Sequence, residues 1–570
     1  MRRIIFICLA VGLSAGVPPP ATAQDAYDAR RLEASKKQYP ANEDNVAAGR
    51  EVYAKRCSFC HGDEGQGDGG AAPYLDPRPR DFTMGLFKFR STLSGELPTD
   101  EDLFRIISRG VTGTAMPAWG EPPFALSERE RWQVVHFLKQ LATEDFADPD
   151  FDPYEQRVEI PPPPASTPER VLAGKDLFSN EKKGGCVKCH GNAGRGDGKE
   201  AGTQQDDWGD PILPADLTKS WNYKNGASLL EIFRTLSTGM TGTPMPGYAE
   251  TLSEDERWDL AYYVQSLLEQ GSGDGQIVLV AKRHDGALPL DPTDPFWEEQ
   301  ASLDVPMAGQ AVVTPRHANS TINLVSIRAA YNGEELAFHF SWNDRFEDVG
   351  GVGDPEGGGG ADTTDNSGED GWIPELDEND GFVRAAEMWE RRKMGFKDRL
   401  QIQFPIRLQD GPEKPFFFMG DPRHKVNLWT WQADWNANPE THGGTAVEER
   451  NAAGYKKAPT TQDQEGRVLE GRAVFEDGEW RLVLRRRLAT ADKESDTQFE
   501  PGAFVPFAIQ AWDGGNGEEG LLCAMSSWYY VVLEGQTDRA GYVWALMGVL
   551  LVLGGETIAV RRARKSTRIR

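Results

Sequence analysis

The chain has 570 residues, with Lys+Arg 62 against Asp+Glu 89 and a formal net charge of −27. Its mean hydropathy of −0.55 excludes a protein built from many membrane spans, and its acidity excludes nucleic acid, whose phosphates it would repel. Six basic residues and no acid fall in 561–570, so the remainder is more acidic still; that suits solubility or a basic protein partner.

In chain order, residues 1–23 read as a signal peptide. Arg2 and Arg3 lead an apolar stretch, and Ala21-Thr22-Ala23 offers a cleavage site. Two spacers then divide the chain: a Pro-rich linker over 147–168, stiffened by four successive prolines at 161–164, and a Gly-rich one over 271–275. The segments flanking the first spacer, 44–146 and 169–270, repeat one another. Cys57-Ser-Phe-Cys60-His61-Gly62 returns as Cys186-Val-Lys-Cys189-His190-Gly191, and Thr112-Gly-Thr-Ala-Met116-Pro117 returns as Thr241-Gly-Thr-Pro-Met245-Pro246. Ser127 with Glu130, and Ser253 with Glu256, are capping boxes that predict a terminal helix in each copy. Trp132, Val135, Phe137 and Leu138 supply the buried stripe of the first.

Beyond residue 275 the pattern changes to short apolar runs between turn residues, at 276–281, 311–313, 335–342, 400–404, 426–431, 480–484 and 504–512. This predicts an all-β unit over 276–535. Trp429, Trp431 and Trp435 read as its core. The acidic, Gly-rich stretch 344–380 matches no EF-hand calcium loop and reads as a solvated excursion. Residues 541–560 are mostly apolar, about the length of one membrane-crossing helix, and the basic tail 561–570 would stay in the cytoplasm. The expected architecture is therefore multidomain: two small all-α units, an all-β sandwich and one C-terminal transmembrane helix. The bulk of the chain would lie in the periplasm, tethered to the cytoplasmic membrane.

The chemistry rests on cysteine. Four of the six cysteines, Cys57, Cys60, Cys186 and Cys189, form two C-x-x-C-H motifs, the attachment signature of c-type haem. Two thiols at this spacing reach the two vinyl groups of one porphyrin, and the next residue, His61 or His190, lies under the iron. A disulfide or a zinc site would have to treat that histidine as an accident twice. Met116 and Met245 each follow their histidine by 55 residues in the same local sequence, which marks them as second axial ligands. Met84 and Met240 are the alternatives, and His136, without a counterpart in the second copy, reads as structural.

With these motifs, residues 44–146 and 169–270 resemble class I cytochrome c domains. The resemblance implies two covalent haem c groups with protein atoms on both axial faces, hence electron relay and no catalytic residues. Residues 276–535 resemble the haem-b-binding domain of the ethylbenzene dehydrogenase gamma subunit, through Phe417-Phe418-Met419-Gly420-Asp421-Pro422, the segment 426–434, the segment 507–518 and Ser526-Ser527-Trp528-Tyr529-Tyr530. That family is a β-sandwich holding haem b between a Met and a Lys. Met419 matches the methionine. The segment 521–526 has no basic residue where the lysine is expected, so either Met525 or Cys523 substitutes or the domain has lost its haem. The resemblance implies a gamma-like electron-transfer subunit of a molybdenum oxidoreductase, with iron–sulfur and molybdenum subunits, a soluble cytochrome or a quinol system as redox partners. Two other readings remain: a dihaem cytochrome with a haem-free docking sandwich, and a cytochrome with its own small-molecule redox activity.

Overall fold

The structure, a computed structural model, describes residues 32–142, 146, 152–268, 276–350, 381–408, 414–462 and 469–535. In the first repeat the helices are α1 (Glu43–Arg56), α2 (Ser58–His61), α3 (Asp100–Arg109) and α4 (Glu128–Leu141). In the second they are α5 (Pro168–Ser179), α6 (Val187–His190), α7 (Leu229–Thr238) and α8 (Glu254–Ser266). Both predicted capping boxes form, and two more appear at Thr99–Asp102 and Ser228–Glu231. Each such cap is worth roughly 1 kcal/mol of helix stability.

The first and last helices of each copy cross at a glycine. A Cβ added at Gly49 in α1 would collide with the Gln133 carbonyl oxygen of α4, and one at Gly174 in α5 with that of Asp259 in α8. Close approach lets aromatic rings fill the crossing: Tyr53 packs on Phe137 at 5.2 Å, and Phe178 on Tyr263 at 5.2 Å. Trp132 and Trp258 stack on Phe104 and Phe233, which binds the third helix to the same core. His136 has the structural role expected of it, its Nε2 standing 2.8 Å from the Tyr39 carbonyl oxygen.

The third unit is a 14-stranded sheet folded on itself. Its strands are β1 (Val278–Arg283), β2 (Ser302–Pro306), β3 (Ala308–Gly309), β4 (Leu324–Tyr331), β5 (Glu335–Asn343), β6 (Arg399–Pro405) and β7 (Val426–Gln432). Then follow β8 (Val447–Ala452), β9 (Thr460–Thr461), β10 (Leu469–Glu476), β11 (Glu479–Arg487), β12 (Phe504–Trp512), β13 (Ala524–Met525) and β14 (Tyr529–Leu533). The order β10-β11-β5-β4-β1-β14-β12-β6-β7-β8-β9 places β1 at the fold line. Its first residues pair with β14 and its last two with β4, so one strand passes from one half to the other. The two halves meet through Trp342 against Trp431 at 5.8 Å and Phe338 against Trp429 at 5.9 Å. Trp435, expected in this core, instead stacks on His442 at 3.8 Å.

Two expectations need correction. Residues 311–313 form no strand, because the Gln310 side-chain oxygen accepts from the backbone N–H of Val312 and Val313, both at 2.7 Å, and takes the amides a ladder would use. The expected transmembrane helix is not supported: no helix of the described residues is long and apolar enough to cross a membrane. Residues 541–560, the signal peptide at 1–23 and the basic tail at 561–570 lie outside the described residues.

Candidate haem sites

The two C-x-x-C-H motifs sit at equivalent places. Cys57 caps α1, donating its N–H to the Tyr53 carbonyl at 2.8 Å, and the short helix α2 then presents Cys60 and His61. Gly62 closes it with φ 78, a conformation open to glycine at little cost, and its carbonyl accepts from Tyr53 Oη at 2.8 Å. In the second copy Cys186 opens α6 and Gly191 closes it at φ 72, while α5 ends earlier, at Asn180.

Each histidine is aimed by a carbonyl. His61 Nδ1 lies 3.0 Å from the Arg80 oxygen and His190 Nδ1 lies 3.0 Å from the Ala215 oxygen. A carbonyl only accepts, so Nδ1 carries the proton and Nε2 keeps its lone pair for a metal. Burial lowers the pKa of both rings, which favours the neutral form that ligates. Phe82 stacks on the His61 ring at 4.6 Å and fixes its plane.

The methionine loops also coincide. Met116 N–H donates to Thr114 Oγ1 at 3.2 Å and Met245 N–H to Thr243 Oγ1 at 3.3 Å. The Met116 carbonyl accepts from Val111 at 3.1 Å and that of Met245 from Met240 at 3.0 Å. Gly110 and Gly239, both at positive φ, let each loop fold flat against the end of α3 or α7. Met84 is 46% exposed and turned away from the core.

In the first copy Cys57, Cys60, His61 and Met116 line one cavity, walled mainly by apolar side chains such as Phe82, Leu103, Ile107 and Leu138. In the second, Cys186 and Met245 pack against the corresponding core of Phe233, Trp258 and Leu260. No disulfide joins the four motif cysteines. Burial pushes Cys57 up to about 12 and Cys186 up to about 11.

The residues fit a haem on a further count, which the sequence did not reveal. Arg80, Lys88 and Lys224 also line the first cavity. Arg80 Nη1 is buried without a hydrogen-bond partner. Burial, Lys224 and Arg80 lower the Lys88 pKa to about 7. Cations brought together in a dry pocket need anions, and the two propionates of a haem are such anions. Lys224 comes from the second copy and is placed there by Arg109 of the first. The Arg109 guanidinium donates to the Asn225 carbonyl at 2.8 Å, to Asn225 Oδ1 at 2.7 Å and to Glu231 Oε1 at 2.7 Å.

The β unit fits its expected cofactor less well. Met419 holds a left-handed backbone, φ 59, which a non-glycine residue adopts at a cost. Buried amides hold it there: Met419 N–H donates to Gln403 Oε1 at 2.9 Å, and Gln403 Nε2 to the Phe417 carbonyl at 2.9 Å. Yet Met419 packs with Val426, Leu428 and Ala452, whereas Met525 packs with Phe418, Trp512 and Cys523. Tyr455 lies against both groups. No basic residue stands at 521–526 to serve as the second ligand, so Met525 or Cys523 would have to. Cys523 is fully buried, and burial raises its thiol well above the usual range, the state of an inert packing residue.

Comparison with known families agrees segment by segment. Residues 44–138 match the cbb3-type cytochrome c oxidase subunit III family, residues 171–268 the cytochrome c family, and residues 294–467 the ethylbenzene dehydrogenase family. The ORF7 protein of Haloferax mediterranei, named provisionally as a respiratory nitrate reductase heme subunit, is 23% identical over 49% of this chain and 81% of its own length. The chlorate reductase subunit gamma of Ideonella dechloratans is 29% identical over 26% of this chain, which spans 58% of that protein. Among solved structures, a chain of the Kuenenia stuttgartiensis reducing HAO-like protein complex is 42% identical, covering 40% of this chain and 99% of its own, with a TM-score of 0.37. The chain is thus a fusion of two cytochrome c domains, which imply covalent haem c, with an ethylbenzene-dehydrogenase-type domain.

Proposed function

We propose that this protein is an electron-transfer subunit with two covalent c-type haems, one in each cytochrome domain, serving a molybdenum-containing respiratory oxidoreductase outside the cytoplasm. The observation that carries the reading is the duplicated site, in which thiols, carbonyl-aimed histidine and methionine loop recur with the same hydrogen bonds. A bound haem supplies one-electron exchange at iron. Cys57, Cys60, Cys186 and Cys189 would staple it by thioether bonds; His61 and His190 would offer Nε2 to the iron, and Met116 and Met245 would supply its second ligands, leaving no position for a substrate. Arg80, Lys88 and Lys224 offset the charge of the first group. The names borne by the nitrate reductase and chlorate reductase relatives support the assembly with a molybdenum enzyme.

The net charge of −27 suits a basic soluble cytochrome as one redox partner. Stopped-flow electron exchange with such a cytochrome tests this: the second-order rate falls at least about tenfold between 10 and 200 mM salt. A rate indifferent to salt contradicts it. Co-purification of a molybdenum subunit with the full chain tests the assembly.

A second reading concerns the β domain alone. The absence of a basic residue from 521–526 favours a haem-free docking module over a b-haem carrier. A pyridine haemochrome assay decides: c-type haem only supports docking, and one b for every two c restores the b-haem.

A further inference from the structure

Away from the haem sites, four aspartates converge where the two halves of the β domain meet. Asp344 follows β5, Asp348 lies in the same loop, Asp398 precedes β6 and Asp513 follows β12. One oxygen of each lies within 4.8 Å of the others. Asp344, Asp398 and Asp513 are buried. Four carboxylates this close and this dry cannot all ionise without a compensating positive charge.

Hydrogen bonds account for two of them. Asp398 accepts from Trp480 Nε1 at 3.0 Å, Asp348 N at 2.8 Å and Gly514 N at 2.9 Å. Asp513 accepts from Asn516 N at 2.8 Å and from the Thr321 hydroxyl. Asp344 and Asp348 are different. Asp344 is 5% exposed, and its Oδ2 is buried with no hydrogen-bond partner, as is Oδ2 of Asp348. An ionised acceptor so placed costs several kcal/mol unless a cation meets it.

We propose that these four aspartates hold a calcium ion. The donors are all oxygen, which selects a hard cation over zinc or copper. Coordination habit then discriminates. Magnesium keeps several waters and takes one or two carboxylates, whereas four protein carboxylates with oxygens all within 4.8 Å of one another suit calcium, whose opposite ligands stand about 4.6–5.2 Å apart. Four carboxylates binding through one or two oxygens each meet calcium's demand for six to eight ligands.

The ion would tie β5, β6 and β12 together at one end of the sandwich. It would also brace the contact with the second cytochrome domain, because neighbours of Asp344 make that contact. Asn343 Nδ2 donates to Asp216 and to Thr218 Oγ1, the latter at 3.1 Å, and Arg345 Nη2 donates to the Pro214 carbonyl at 3.3 Å. Between Pro214 and Asp216 lies Ala215, whose carbonyl aims His190.

The test uses the full haem-loaded chain, equilibrated with 1 mM calcium, gel-filtered and analysed for metal by atomic emission. About one calcium per chain is expected. EGTA should lower Tm by about 5 °C or more, and calcium but not magnesium should restore it. Asp344→Asn combined with Asp348→Asn should abolish the bound calcium while both c-haems remain. A parent chain that retains no calcium and melts identically with and without EGTA overturns the proposal. So does a double variant that keeps its haem and binds as much calcium as the parent. Should that variant fail to fold, the calcium content of the parent decides.

Discussion

At the scale of single residues, the site is decided by which atom each side chain leaves free. His61 and His190 spend Nδ1 on a carbonyl and keep Nε2, and Met116 and Met245 have their backbones pinned by a threonine two residues earlier. Removing one thioether should therefore open one axial face and nothing else. Met116→Ala is predicted to bind carbon monoxide at one haem of the reduced protein, half the total, while the parent binds none; Met245→Ala does the same at the other. Difference spectra after carbon monoxide addition check this, and binding by the parent would support a cytochrome with its own small-molecule chemistry. These residues were legible in the sequence because each is fixed by local spacing and appears twice. Met419 was legible as a singular residue, but its left-handed backbone is held in the turn before β7 by the buried amide of Gln403, which lies in β6.

At the scale of elements, caps and glycines explain why the helices stand where they do. Glu231 has two tasks: it caps α7 through Ser228 and accepts from Arg109 of the other cytochrome domain. The clamp fixes the segment carrying Lys224, a cation that reaches the first cavity from outside its own domain. Lys224→Gln removes a positive charge beside the first haem and so stabilises its ferric form. Its midpoint potential is predicted to fall by on the order of tens of mV while the other haem is unchanged, a split that a spectroelectrochemical titration resolves. Equal shifts in both haems, or none, contradict the placement. The predicted strands largely formed, because alternation and β-branched content are local signals. The strands β4, β8 and β10 were among those that escaped notice, since their polar faces interrupt the apolar runs, as Arg328, Glu448, Glu449, Glu470 and Arg472 show.

At the scale of the molecule, the three domains hold one another. Asn319 Nδ2 donates to the Tyr74 carbonyl at 2.9 Å, and Trp389 and Arg392 both reach Asp76 at 3.3 Å, anchoring the first cytochrome domain to the sandwich. Arg195 of the second donates to the Asp477 carbonyl at 3.1 Å. Arg90 of the first donates to the Thr238 carbonyl of the second at 2.8 Å. The β domain is thus also a frame, and the loops it holds adjoin the carbonyls that orient the two histidines. None of this was legible in the sequence, because each contact joins residues more than a hundred positions apart. The four aspartates were hidden too: Asp344 and Asp348 begin the stretch that reads as solvated, though Asp344 is buried, and Asp398 and Asp513 join them from separate stretches of chain.

The most direct measurement is the intact mass of the purified chain under denaturing, reducing conditions, which strip away any haem not covalently held. Two haem masses above that of the polypeptide are predicted, reduced to one by Cys57→Ala with Cys60→Ala and to one by Cys186→Ala with Cys189→Ala. A chain at bare polypeptide mass, with Cys57, Cys60, Cys186 and Cys189 open to alkylation, would contradict the account.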